Sequence, residues 1–157
     1  MKVLVCDIQG FVVCGEFLPK EIAINNGQQI SHFLIKPSQD FSPLSQQDKK
    51  TARYLERYQH GLKYSKGFVS HHEVPEILNI LADADLVYVR GHQKHDFLVK
   101  HFRYCPPKIV NLETYDWSPP LPKSSQPICM YHHGKSRICA VTNTSDIFNW
   151  IKNFMPD

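Results

Sequence analysis

Short apolar runs alternate with polar stretches along this chain, and their spacing switches between a period near two and one near four, so strands and helices share one fold. Residues 2–8, KVLVCDI, form a β-branched run ending in a carboxylate ahead of Gly10, which predicts a buried strand that delivers Asp7 to its C-terminal edge. EIAIN and QQISHFLIKP flank Asn26-Gly27, a hairpin signal in which both turn residues take positive φ, so two antiparallel strands should follow the first. SPLSQQDKKTARYLERYQHG has Ser45 as cap with Asp48 three residues on, apolar Ala52, Leu55 and Tyr58, and Gly61 as stop; it predicts a polar, mostly exposed helix. HHEVPEILNILADAD places Val74, Ile77, Leu78 and Leu81 at helical spacing and leads into LVYVRG, so a helix feeds a parallel strand. GHQKHDFLVKHF repeats the helical spacing at Phe97, Leu98, His101 and Phe102, and KIVNLE adds a short strand. Prolines make the stretch from Trp117 to Pro127 a loop, and from Asn143 a closing amphipathic helix sets Ile147, Phe148, Ile151 and Phe154 on one side. The predicted class is α/β: a mixed sheet of strand, antiparallel hairpin and then parallel strands, flanked by helices.

Composition narrows this picture. A length of 157 residues with 42% hydrophobic content suits one domain, residues 1–157, around one core. No apolar run of eighteen residues exists, and the N-terminal stretch holds one early Lys and an internal Asp7, so neither a membrane span nor a signal peptide is expected. An intracellular protein of cytoplasm or nucleus is the expectation. Five cysteines, Cys6, Cys14, Cys105, Cys129 and Cys139, are odd in number and argue for reduced thiols or metal ligands over a disulfide framework. The net charge of +3 permits contact with a phosphate backbone without demanding it. Lys49, Lys50, Arg53 and Arg57, with Tyr54 and Tyr58 between them, are either a solvated helix face or a nucleic-acid contact with stacking faces.

Candidate chemistry concentrates in CMYHHGKSRICA, residues 129–140. Cys129, His132 and Cys139 can offer sulfur, nitrogen and sulfur to one zinc ion if the segment folds back on itself, with His133 as the alternative imidazole. Two other readings stand beside it. Isolated cysteines are commonly small buried hydrophobes. A nucleophilic Cys-His pair would need an orienting group and an oxyanion hole, and neither is recognisable nearby.

The succession DIQGF, EIAINNGQQISHFLIKP, ADLVYVRGHQKHDFL and IVNLE resembles the DnaQ-like exonuclease branch of the RNase H-like fold over nearly the whole chain. That resemblance implies a two-metal centre of magnesium or manganese on Asp7, Asp96 and Asp146, with Glu113 as another third carboxylate. Two departures accompany it: Gln9 stands where the family's second acid stands, and the turn before Asp96 is one residue short, which rotates a helical side chain by about 100°. The Cys-x-x-His and Cys-Ala pattern resembles the Maelstrom domain of small-RNA silencing, which implies Glu21 of KEIA as a fourth zinc ligand. The segment also resembles arthropod mobile-element-linked proteins that begin Asp-x-Gln-Gly-Phe. Together these imply a catalytically degenerate domain with structural zinc that binds RNA, other single-stranded nucleic acid or a protein partner in transposon or small-RNA silencing. The alternatives are an active divalent-metal-dependent exonuclease or RNase, and a protein-interaction adaptor using the loop around Tyr115 and Trp117.

Overall fold

The computed structural model describes residues 1–102, 107–114, 129–132 and 138–154; Cys105, Tyr115, the stretch from Trp117 to Pro127, His133 and the side chain of Phe154 lie outside the described residues. The elements are β1 (Val3–Val13), β2 (Glu16–Asn25), β3 (Ile30–Lys36), α1 (Gln46–Tyr54), β4 (Val69–Ser70), α2 (Val74–Leu78), β5 (Leu86–Val89), α3 (His92–His101), β6 (Lys108–Asn111) and α4 (Ala140–Phe154). Six strands form one sheet in the order β4-β3-β2-β1-β5-β6. β1, β2 and β3 are an antiparallel meander, while β5 pairs parallel with β1, β6 with β5 and β4 with β3. This is the expected mixed α/β sheet, and its arrangement is consistent with an RNase H-like fold.

Period-two alternation divides β1 between two apolar layers. Leu4, Cys6 and Ile8 pack with Val74, Ile77, Leu78 and Leu81 around α2, and with Leu98 and Phe102 at α3. Val5 points the other way, into a cluster with Ile147 and Trp150 of α4. A third cluster gathers Phe11, Val13, Leu44, Ala52 and Tyr64 beneath α1. Among the described residues no helix is long and apolar enough to cross a membrane.

Three local differences from the sequence expectations position the site. First, β1 does not end near Asp7 but continues to Val13, because Cys14 (φ 51°) and Gly15 (φ 76°) supply a two-residue turn of the twist that hairpins favour. Inside this hairpin the register runs Gln9 to Glu21 and then Gly10 to Pro19, so Lys20 is an extra, bulged residue. Gly10 is required there, since a Cβ would lie 2.2 Å from the Leu18 carbonyl oxygen. Second, the Asn26-Gly27 hairpin uses a longer loop between Asn25 and Ile30, in which the Asn26 side chain accepts from the backbone N–H groups of Gln28 (2.8 Å) and Gln29 (2.7 Å). Of the pair, Gly27 alone has positive φ. Third, α1 begins as predicted, with Ser45 Oγ accepting from Asp48 N–H at 3.1 Å, but widens into a π-type turn over Leu55–Gln59. The wider turn leaves Tyr58 61% exposed rather than on the buried side with Ala52.

Candidate metal centre

Glu21 is the hub. Its partner across the β1–β2 ladder is Gln9, and the bulged residue Lys20 immediately precedes it on β2. The carboxylate is fully buried, a position tolerated only when every oxygen is engaged. Oε1 accepts the backbone N–H of Ala140 at 2.9 Å, which explains why α4 starts at Ala140 instead of Asn143: a carboxylate from a distant strand satisfies its first turn. Oε2 lies 2.9 Å from His132 Nε2, 2.8 Å from His32 Nε2, 3.4 Å from Cys129 Sγ and 3.9 Å from Cys139 Sγ.

The ligand atoms of Glu21, Cys129, His132 and Cys139 all lie within 4.8 Å of one another, so this group could hold a metal ion. His132 donates from Nδ1 to the His60 carbonyl oxygen, which orients the ring so that Nε2 faces the hub. A short turn brings Cys129 and His132 to the same side, with His132 N–H on the Cys129 carbonyl at 3.4 Å. Cys139 is buried at the start of α4, where its carbonyl accepts from Asn143 N–H at 2.9 Å.

The charges are arranged for a cation. Burial alone would raise the Glu21 pKa, but hydrogen bonds from His132 and His32 hold it down at about 2. The bond from Cys129 lowers Cys139 to about 4 against the opposing effect of burial, while the Cys129 thiol is itself pushed up by that same bond and by burial. Burial disfavours the His132 imidazolium, yet its bonds to Cys139 and Glu21 raise it to about 10. A buried carboxylate, an imidazole and two thiols thus share hydrogen bonds in the space between their ligand atoms, where a metal would displace protons.

Asp7 sits elsewhere and is otherwise engaged. Oδ1 is 2.6 Å from Lys94 Nζ, and Oδ2 accepts from Gln9 Nε2 at 2.8 Å and Asn143 Nδ2 at 3.0 Å. The carboxylate is 2% exposed and the lysine 20%. Lys94 reaches it from the first turn of α3, which Gly91 opens at φ 129° while donating to Asn111 Oδ1 at 3.0 Å. Asp96 points to solvent, 80% exposed, with His95 Nδ1 at 3.5 Å. Asp146 is half-buried on α4, and Glu113 is exposed in the turn after β6. Among the described residues, neither Asp7, Asp96, Asp146 nor Glu113 belongs to a group of three metal-capable side chains.

The basic residues of α1 surround aromatic rings. Lys49 and Arg53 lie 5.9 and 5.4 Å from the Phe41 centroid, and Arg57 lies 5.5 Å from that of Tyr58. Tyr54 and Tyr58 are 5.2 Å apart and more than half exposed, and Lys50 is exposed beside them. Sequence reasoning missed His32, His60 and Lys94. His32 and Glu21 occupy neighbouring strands two positions out of register, a relation that the β3 alternation alone could have suggested. Lys94 had no signal, because its role depends on where α3 meets β1.

No protein-family model matches this chain, and no curated protein matches it.

Proposed function

We propose that this chain is a zinc-stapled, non-cleaving module on a nuclease-like sheet, which binds single-stranded nucleic acid, RNA foremost, through the cationic face of α1. The observation that carries the reading is the convergence of Glu21, Cys129, His132 and Cys139 within 4.8 Å. Two sulfurs, one imidazole and one carboxylate suit zinc over magnesium or manganese, which require oxygen donors. Four protein donors leave no open position for water or substrate, so the ion's work is folding. It joins β2 to the start of α4 and to the turn at Cys129.

The absence of turnover is supported at Asp7, whose carboxylate is neutralised by Lys94 and filled by two amides. A two-metal nuclease on Asp7, Asp96 and Asp146 would need Asp96 turned inward and Lys94 displaced. Nucleic-acid binding is supported by the exposed Tyr54 and Tyr58 rings between Arg53, Arg57 and Lys50, an arrangement suited to base stacking beside phosphate contacts. The likeness of the Cys-x-x-His and Cys-Ala segment to the Maelstrom domain extends this reading to a place in transposon or small-RNA silencing.

Elemental analysis of protein purified without added metal tests the first part: one zinc per chain is expected, lost in Cys129→Ser. Incubation with labelled single-stranded RNA and DNA in magnesium or manganese tests the second. Salt-sensitive retardation without cleavage, weakened by Lys50→Glu and Arg53→Glu, is the expected result. Metal-dependent cleavage abolished by Asp7→Asn would overturn it.

A further inference from the structure

A second surface adjoins the metal centre and is unlike the face of α1. Phe68 is 71% exposed and Met130 83%, both large apolar side chains beside a cavity of about 210 Å³. Leu34 and Leu62 also line it, Lys63 and Lys66 stand at it, and no acidic residue lines it among those described. Lys20, the bulged residue of β2, adds a third cation: it is 1% exposed, with Nζ donating to the carbonyls of Ile35 (2.9 Å) and Tyr64 (2.8 Å). The remaining lining residue, Tyr131, lies between the ligands Cys129 and His132, and its ring is 5.3 Å from Phe68 and 6.1 Å from His32. Exposed apolar side chains at a concave site whose charges share one sign mark a contact surface.

We propose that this cavity docks an acidic peptide segment, one large apolar side chain of which enters between Phe68 and Met130 while flanking Asp or Glu residues meet Lys63 and Lys66. Four observations select this occupant. The aliphatic leucines and the adaptable Met130 suit an apolar side chain. Among the described residues, the only charges lining the cavity are ammonium groups, complementary to carboxylates. A nucleobase would want several polar partners for its edge, and of the lining residues only Tyr131 and the lysines carry polar side-chain atoms. A second copy of this chain, with net charge +3, would bring like charge to a cationic surface.

Because Tyr131 and Met130 are carried by the turn that holds Cys129 and His132, the metal shapes one wall. Docking is therefore metal-dependent, a corollary that rests on the zinc reading, whereas the peptide preference does not. The test is selection from a random twelve-residue peptide library displayed on phage, run in parallel on the wild-type protein and on Phe68→Ser and Lys63→Glu/Lys66→Glu. All three changes are at exposed positions, and circular dichroism verifies the fold of each variant. Wild type should enrich peptides with one aromatic or long aliphatic residue among Asp and Glu, and both variants should lose them. Anisotropy of one enriched peptide should then weaken by about tenfold or more in each variant. Enrichment of basic or uncharged peptides, equal enrichment on the variants, or no enrichment at all would overturn the proposal. Single-stranded RNA bound to wild type and lost in Lys63→Glu/Lys66→Glu without peptide enrichment would reassign the surface to nucleic acid and overturn it too. Chelation should reduce peptide affinity about tenfold; unchanged affinity in protein shown to contain zinc removes the metal corollary, and protein found without zinc overturns the zinc reading while leaving the peptide result to stand by itself.

Discussion

A double-mutant cycle at Asp7 and Lys94 probes a largely buried lysine–carboxylate pair. At 2.6 Å, with the carboxylate 2% and the ammonium 20% exposed, the charges attract by about 6 kcal/mol at an effective dielectric of about 20. Desolvation of both ions offsets most of this, so the pair's net contribution is small while its one-sided loss is costly. Lys94→Met leaves the Asp7 carboxylate buried with only the amides of Gln9 and Asn143, which should cost roughly 3 kcal/mol. Asp7→Asn leaves an ammonium that can lean toward water, at roughly 2 kcal/mol. Asp7→Asn with Lys94→Met should cost roughly 2 kcal/mol, well short of the sum, giving a coupling near 3 kcal/mol. Urea denaturation at pH 7, monitored by tryptophan fluorescence with a common slope for all four proteins, measures each term. Effects that add within about 0.5 kcal/mol would refute the claim that Lys94 neutralises Asp7.

Removing the metal with a chelator should lower the melting temperature of wild type, by an amount equivalent to roughly 3 kcal/mol when free zinc had stood at a hundred times its dissociation constant, and Glu21→Ala should erase the difference. Gly10→Ala should cost about 2 kcal/mol in the same denaturation assay, because its Cβ would meet the Leu18 carbonyl at 2.2 Å. His60 is kept neutral by burial, its pKa lowered to about 4, and it accepts Leu62 N–H at Nδ1 while Nε2 sits on the Gly10 carbonyl. The unfolded chain takes up this proton near pH 6.5 and the folded one only near 4, so the contribution is present above pH 6.5 and lost as pH falls through that window. Between pH 7.5 and 5 the loss should be roughly 2 kcal/mol, and His60→Gln should flatten that slope.

Elements with local chemistry were readable in advance. Ser45 caps α1, Val74, Ile77, Leu78 and Leu81 all enter the core, and the apolar run LVYV is a parallel strand, because each depends on residues a few positions apart. Three metal-capable residues were visible for the same reason, as a short Cys-x-x-His with a second Cys nearby. Glu21 came only through resemblance, since 108 positions separate it from Cys129. Lys20 reads as an ordinary charged strand residue; only the bulge, created by Gly10 on the facing strand, turns it inward. The aromatic array of α1 was legible in part: Tyr54 and Tyr58 were named, but no periodicity rule announces the π-type turn that brings Tyr58 to the surface.

The hydrogen bond from Ala140 N–H to Glu21 that starts α4 also sets an order of events during synthesis. Glu21 leaves the ribosome more than a hundred residues before the backbone of Ala140, which it must meet. A nascent chain halted short of residue 129 would hold that acid on a finished hairpin, its companions Cys129, His132 and Cys139 not yet synthesised. The last helix is thus the latch of the assembly, and translation pauses or truncations near the tail should yield chains that aggregate although the sheet is already made.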